Sequence, residues 1–158
     1  MMDTSSPPVR PKNLDDLTAL VGVELGPTAW HHVTQDAIDA FAQVTGDHQW
    51  IHTDPKRAAD SPLRGTIAHG LYSLSLGPAL SAELLLFDGF AHGLNYGYDK
   101  VRFPAPVPVG SRIRMRATVT AADHVPGGIQ VTSRQLFECD AAAKPVVVAV
   151  SVARVVER

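Results

Sequence analysis

Only one cysteine, Cys139, occurs in the 158 residues. No disulfide can close within the chain, and no zinc-type cysteine pattern is available. No apolar run is long enough to span a bilayer as a helix. No Lys/Arg-rich run interleaved with aromatics appears, and 14 basic against 16 acidic residues leave a net charge of −2. Overall charge therefore draws the chain neither to nucleic acid nor to an anionic membrane. There is no Gly-rich phosphate loop, no G-x-S-x-G elbow and no H-E-x-x-H helix. No internal repeat is visible. The first twelve residues are polar and Pro-rich and lack the apolar stretch of a signal peptide. The expectation is a cytoplasmic protein with a flexible arm over residues 1–12.

What is present suits one globular domain over residues 13–158. The length allows a sizeable core, and 45% hydrophobic residues is close to the globular average. Asn13, with Asp16 three positions on and Leu14, Leu17, Leu20 and Val21 at helical spacing, predicts a short helix that Gly22 ends. Val23 to Val33 reads as a strand broken near Gly26-Pro27. Thr34 is a good N-cap for a helix whose apolar stripe is Ala37, Ile38, Phe41 and Val44, with Gly46 where a C-cap glycine belongs. Asp54-Pro55 reads as the N-cap and first residue of another short helix. From Ala68 to Phe87, Leu71, Leu74, Leu76, Leu80, Leu84 and Leu85 cover most of a helix's circumference. A buried helix is expected there, kinked at Gly77-Pro78.

After Gly89 the pattern changes to strands. His92 to Phe103 alternates and then slips in phase, which suggests a bulge. Ser111 to Thr120 alternates cleanly, with Ile113, Met115, Ala117 and Val119 on one face and Arg112, Arg114 and Arg116 on the other. Pro126-Gly127-Gly128 turns the chain into Ile129 to Glu138, and Val146 to Val156 is apolar on both faces at first, as a central strand would be. The fold class is α+β: an antiparallel sheet with helices gathered on one side, curved around one long apolar helix.

The chemistry concentrates in Gly46-Asp47-His48-Gln49-Trp50-Ile51-His52-Thr53-Asp54-Pro55, a connection between helical patterns. A carboxylate beside an imidazole, here Asp47 and His52, can hold a water, take its proton and return one elsewhere. The plainer alternative is that Asp47 caps the turn and His52 is structural. His48 and His52, spaced i, i+4, raise a metal site, but Gly46 and Pro55 argue against a regular helix and no third ligand follows from spacing. Asp54 is better explained as a cap. Gln49 could bond a water or substrate, whereas Trp50 suits packing. His69-Gly70 opens the apolar helix, whose first N–H groups lack internal partners. The Gly70 N–H could meet a substrate carbonyl, or the glycine could simply allow close packing. Ser75 could face a pocket or bond back to its own helix. The Arg112, Arg114 and Arg116 stripe suits a solvated sheet face.

Taken together, Phe41 through Pro55 and Ala68-His69-Gly70-Leu71, with Arg102-Phe103-Pro104-Ala105-Pro106-Val107 later, resemble the MaoC-like or R-specific enoyl-CoA hydratase (hydratase 2) family, with a NodN-like branch as one possibility. The likeness runs from about Leu14 to Val156. It implies a hotdog fold, usually paired into a homodimer by joining sheets edge to edge. It implies reversible syn hydration of a trans-2-enoyl thioester to the (R)-3-hydroxyacyl thioester, on a coenzyme A or acyl-carrier-protein substrate, with no metal or redox cofactor. By motif position Asp47 and His52 would hold the water, the Gly70 N–H would meet the thioester carbonyl, and Ser75 would lie near it. Gln49-Trp50 stands where many relatives have Asn-Pro, so Gln49 is not an exact match to a water-holding asparagine. The alternatives are a hotdog module that binds acyl thioesters without turnover, or a hotdog thioesterase.

Overall fold

The computed structural model describes residues 6–158. Helix α1 (Leu14–Ala19) starts where the Asn13 side chain accepts the Asp16 N–H at 2.9 Å. Strands β1 (Glu24–Leu25) and β2 (His31–His32) are the two halves of the expected broken strand. Helix α2 (Gln35–Thr45) is capped by Thr34 and ends at Gly46, whose φ of 80° is the left-handed conformation that glycine adopts without steric cost. Its buried residues are Ile38 and Ala42; Val44, expected on the apolar stripe, is 86% exposed.

A single helical turn follows, α3 (Trp50–Thr53), inside the stretch expected to be irregular. Helix α4 (Pro55–Ala59) begins on Asp54, which accepts the Arg57 N–H at 3.0 Å. The long apolar helix is two short ones: α5 (Gly70–Ser75) and α6 (Gly77–Ala82), separated at Leu76. Leu76 between them keeps right-handed helical dihedrals, and Pro78 lies in the first turn of α6, where its missing N–H costs nothing, so the interruption falls next to Gly77-Pro78. Leu74, Leu80 and Leu84 are buried, but Leu71 is 61% exposed, so this helical run buries one side instead of its whole circumference.

Strands β3 (His92–Arg102), β4 (Arg112–Val125), β5 (Gly128–Cys139) and β6 (Val147–Val156) complete a six-stranded antiparallel sheet in the order β1-β4-β5-β6-β3, with β2 pairing beside β1 on β4. Ile113, Met115 and Val119 face the core, as their alternation predicts. The phase slip in β3 is a pair of register shifts, between Asn95 and Gly97 and between Tyr98 and Lys100. β6 is an interior strand and β3 an edge. The arginine face is paired rather than bare: Arg112 bonds Asp140, and Arg114 and Arg116 share Glu138.

Residues 6–12, expected to belong to a flexible arm, are instead docked. The Val9 N–H donates to the Leu84 carbonyl at 2.8 Å, the Leu86 N–H donates to the Val9 carbonyl at 2.9 Å, and Arg10 pairs with Asp88. Residues 1–5 of that expected arm lie outside the described residues.

Candidate active site

Three short segments meet at the amino end of α5. The first is the turn from Gly46 into α3. The second is the extended run Thr66–Ala68, whose Ala68 N–H donates to the Val107 carbonyl at 2.8 Å. The third is α5 itself. The first two are sewn together by backbone: the Ile67 N–H donates to the Ile51 carbonyl at 3.0 Å. Gln35 adds a brace from α2, its amide N–H donating to the His52 carbonyl at 2.8 Å while its carbonyl oxygen accepts from the Thr66 hydroxyl. A side chain tied at both ends this way loses little further freedom when a substrate arrives.

His52 is buried, and its Nδ1 lies 2.7 Å from the Ile67 carbonyl. A carbonyl only accepts, so Nδ1 carries the proton and Nε2 keeps its lone pair. Burial lowers the His52 pKa below its ordinary value. The Ile67 hydrogen bond opposes that shift, neighbouring His69 adds to it, and Asp47 opposes it. The imidazole is thus set to accept a proton at neutral pH.

His69 is the residue to which sequence reasoning gave no role of its own. It is buried, its ring stacks on His52 with centroids 3.8 Å apart and planes 25° apart, and its centroid lies 5.0 Å from that of Phe41. Its Nε2 donates to the Asp47 carbonyl at 3.0 Å, which pins the backbone of the exposed Asp47 to the start of α5. Its Nδ1 is buried without a hydrogen-bond partner. Asp47, His52 and His69 each offer a ligand-type atom, all within 4.8 Å of one another. One water with hydrogen bonds of about 2.8 Å at a tetrahedral angle spans roughly 4.6 Å between its partners. That spacing matches one water bridging the Asp47 carboxylate and an imidazole. The same three groups suit a divalent cation in kind. However, His52 Nδ1 and His69 Nε2 are already committed to backbone carbonyls, leaving one nitrogen on each ring.

Gly70 follows His69 as the first residue of α5, so its N–H has no partner within the helix. Packing also demands glycine here: a Cβ would lie 2.8 Å from the Phe103 ring. The close-packing reading of Gly70 is thus realised by the Phe103 ring, and its N–H stands at the start of α5. The remaining candidates stand apart. The exposed Ser75 spends its hydroxyl on the Tyr72 carbonyl at 2.7 Å, so the bond back to its own helix is the one realised. Gln49 is exposed; its backbone N–H donates to the Asp47 carboxylate at 3.4 Å, and its side chain makes no hydrogen bond among the described residues. His48 is exposed and outside the cluster, so the i, i+4 pair His48 and His52 does not form a site. Trp50 packs under Arg57, whose guanidinium carbon sits 4.3 Å from the ring centroid.

A family profile described as "MaoC like domain" matches residues 16–138. The chain belongs to the MaoC-like family. Its relatives include 3-hydroxyacyl-thioester dehydratase Z of Mycobacterium tuberculosis, 43% identical over 146 residues, covering 92% of this chain and 97% of that one. Nodulation protein N of Rhizobium leguminosarum is 42% identical over 131 residues, 78% of each chain. Among solved structures, the unliganded R-hydratase PhaJ1 from Pseudomonas aeruginosa superposes with a TM-score of 0.67 at 25% identity, covering 87% of this chain and 83% of that one. The six-stranded antiparallel sheet with its helices on one side is the hotdog fold of these MaoC-like structures. With a named dehydratase matched over nearly its whole length, this MaoC-like chain is a hydro-lyase.

Proposed function

We propose that this MaoC-like protein adds water reversibly to a trans-2-enoyl thioester, giving the (R)-3-hydroxyacyl thioester. The reading is supported above all by Asp47 and His52 offering atoms within 4.8 Å of each other, with His52 Nδ1 committed to Ile67 and Gly70 opening α5 directly after His69 of the same cluster. The names of the dehydratase and R-hydratase relatives support it. In the hydration direction His52 Nε2 takes one proton from the water, and the Asp47 carboxylate accepts a hydrogen bond from the other. The oxygen attacks C3 while the C2–C3 π electrons move toward the thioester carbonyl. The Gly70 N–H donates to the oxygen on which charge collects. The His52 imidazolium then returns its proton to C2 from the same face, so addition is syn and both groups end as they began. No metal or redox cofactor is needed for this sequence of steps.

The protein is also proposed to act as a homodimer. β3 pairs only with β6 among the described residues and exposes Leu94 and Tyr96, 58% and 63% accessible. An edge strand with exposed apolar side chains is a natural surface for pairing with a second copy. Sedimentation of the purified chain at twice the monomer mass is the expected result.

Crotonyl-CoA monitored for loss of enoyl absorbance, with a thiol reagent in a parallel cuvette, tests the activity. Hydration consumes absorbance and releases no thiol. Thiol release would replace this reading with a thioesterase, and binding with neither signal would leave an acyl-thioester-binding module.

A further inference from the structure

The half-buried Gln35 opens α2, directly after the cap Thr34. Every polar atom of its side chain is engaged. Its Nε2 donates to the His52 carbonyl at 2.8 Å and to the Asp39 carboxylate, one turn on, at 2.8 Å. Its Oε1 accepts from the Thr66 hydroxyl. A carbonyl and an ionised carboxylate only accept, so these partners settle which end of the amide is nitrogen and which is oxygen. Thr66 is 1% exposed, and Gln35 is the one partner of its hydroxyl among the described residues.

These bonds close a frame around the histidine. Thr66 precedes Ile67, whose carbonyl takes the His52 Nδ1–H at 2.7 Å. The Ile67 N–H in turn donates to the carbonyl of Ile51, the residue before His52. The pairs Ile51-His52 and Thr66-Ile67 are thus joined by three links: imidazole to carbonyl, backbone to backbone, and the Gln35 amide across both. Only the third comes from outside the two segments. The first link decides the chemistry. A neutral imidazole carries one proton on either nitrogen, and the bond made by Nδ1 leaves the lone pair on Nε2. If the ring and the Ile67 carbonyl drift apart, the other tautomer gains, and its Nε2 has no lone pair to offer a water.

We infer that Gln35 is a positioning residue for His52: by bridging the His52 carbonyl and the Thr66 hydroxyl, it holds the His52 ring on the Ile67 carbonyl and so keeps Nε2 free to take a proton. Its role in turnover rests on the hydration reading above, to which it adds a residue that acts only through His52. Three substitutions separate the links. Gln35→Leu removes both ends of the bridge. Thr66→Val cuts one end and keeps the side-chain shape. Thr66→Ser keeps the hydroxyl.

With crotonyl-CoA, kcat should fall by about ten- to a hundred-fold in Gln35→Leu and in Thr66→Val, with KM within about two-fold of the parent. Thr66→Ser should keep most of kcat. Thermal melting establishes that each variant is folded; should Gln35→Leu not fold, Thr66→Val carries the same test. The acid limb of kcat/KM separates positioning from a general structural defect. The Ile67 bond raises the His52 pKa against burial, beside a lowering by His69 and a raising by Asp47. Loosening that bond should therefore carry the limb to lower pH, whereas a structural defect lowers the rate at every pH and leaves the limb in place. Nitrogen NMR of the histidine rings reads the same bond without turnover. His52 should be the Nδ1–H tautomer in the unmodified protein and a mixture in Gln35→Leu. Full kcat in a folded Gln35→Leu protein overturns the proposal, and so does an unchanged His52 tautomer. If the unmodified protein hydrates crotonyl-CoA and Gln35→Leu alters neither kcat nor tautomer, the activity stands and the role of Gln35 falls. If no hydration is seen, the hydration reading falls, and the tautomer alone decides whether Gln35 holds His52.

Discussion

If Asp47 and His52 work on one water, their loss should not multiply. Each group alone is expected to contribute about 10²–10⁴ in rate, equivalent to roughly 3–5.5 kcal/mol of barrier. The two offer atoms within 4.8 Å of each other, so a water that loses either partner is no longer oriented by the other. Asp47→Asn, His52→Gln and the double variant should therefore all fall by a similar factor, the double being within about ten-fold of the worse single. Independent groups would instead multiply to roughly 10⁴–10⁸. The assay is kcat/KM for crotonyl-CoA from the loss of enoyl absorbance at substrate concentrations below KM. Stability must be measured beside it. Asp47 is exposed, so Asp47→Asn should melt close to the parent. His52→Gln disturbs a buried 2.7 Å bond to the Ile67 carbonyl and should cost about 1–3 kcal/mol. A double variant that falls as the product of two large single losses would refute the shared water.

Other consequences are simpler to state. The folded-state pKa of His52 lies below its ordinary value of 6.5, so the unfolded chain takes up this proton first as pH falls; the group's contribution to stability is full above pH 6.5, declines below it and levels off under the folded pKa. Melting temperature against pH should show that acid-side decline, less steep in His52→Gln, and the acid limb of kcat/KM should lie below pH 6.5. His69→Phe keeps a ring against His52 and Phe41 but cannot donate to the Asp47 carbonyl. We expect kcat to drop by about ten- to a hundred-fold with a stability change near 1 kcal/mol, and His69→Gln to recover part of kcat; full activity in His69→Phe would remove His69 from the positioning of Asp47. Gly70→Ala places a methyl 2.8 Å from the Phe103 ring and should destabilise by about 1–3 kcal/mol in chemical denaturation, with Phe103→Ala in the same chain relieving the strain.

The parts of the fold legible in the sequence are those decided within one turn of chain. Asn13, Thr34 and Asp54 cap their helices through bonds to residues three positions away, and Gly46 ends α2 because its own φ permits it. Ile113, Met115 and Val119 announce β4 because a strand's side chains alternate. What escaped was settled by distant neighbours. Nothing around Val9 signals that its backbone pairs with Leu84 and Leu86. Leu71 and Val44 carry the same apolar label as Leu74 and Ile38 yet face outward, because periodicity marks a stripe without saying how wide the opposing surface is.

The site divides along the same line. Asp47 and His52 stand five positions apart and could be paired by eye. The groups that aim them could not, because each acts on a backbone carbonyl: His52 on Ile67, His69 on Asp47, Gln35 on His52. Any residue supplies a carbonyl, so the acceptors leave no mark in the sequence, and only the donors could have been suspected. His69 was the one with a signal, a second imidazole directly before a helix-opening glycine. That arrangement also gives the two histidines different work. His52 gives its Nδ1 proton to Ile67 and keeps Nε2 for the water, whereas His69 spends Nε2 on the loop and leaves Nδ1 buried and unpaired. The two rings stack with centroids 3.8 Å apart, so the bond by which His69 holds the Asp47 backbone also sets the surface against which the His52 ring rests.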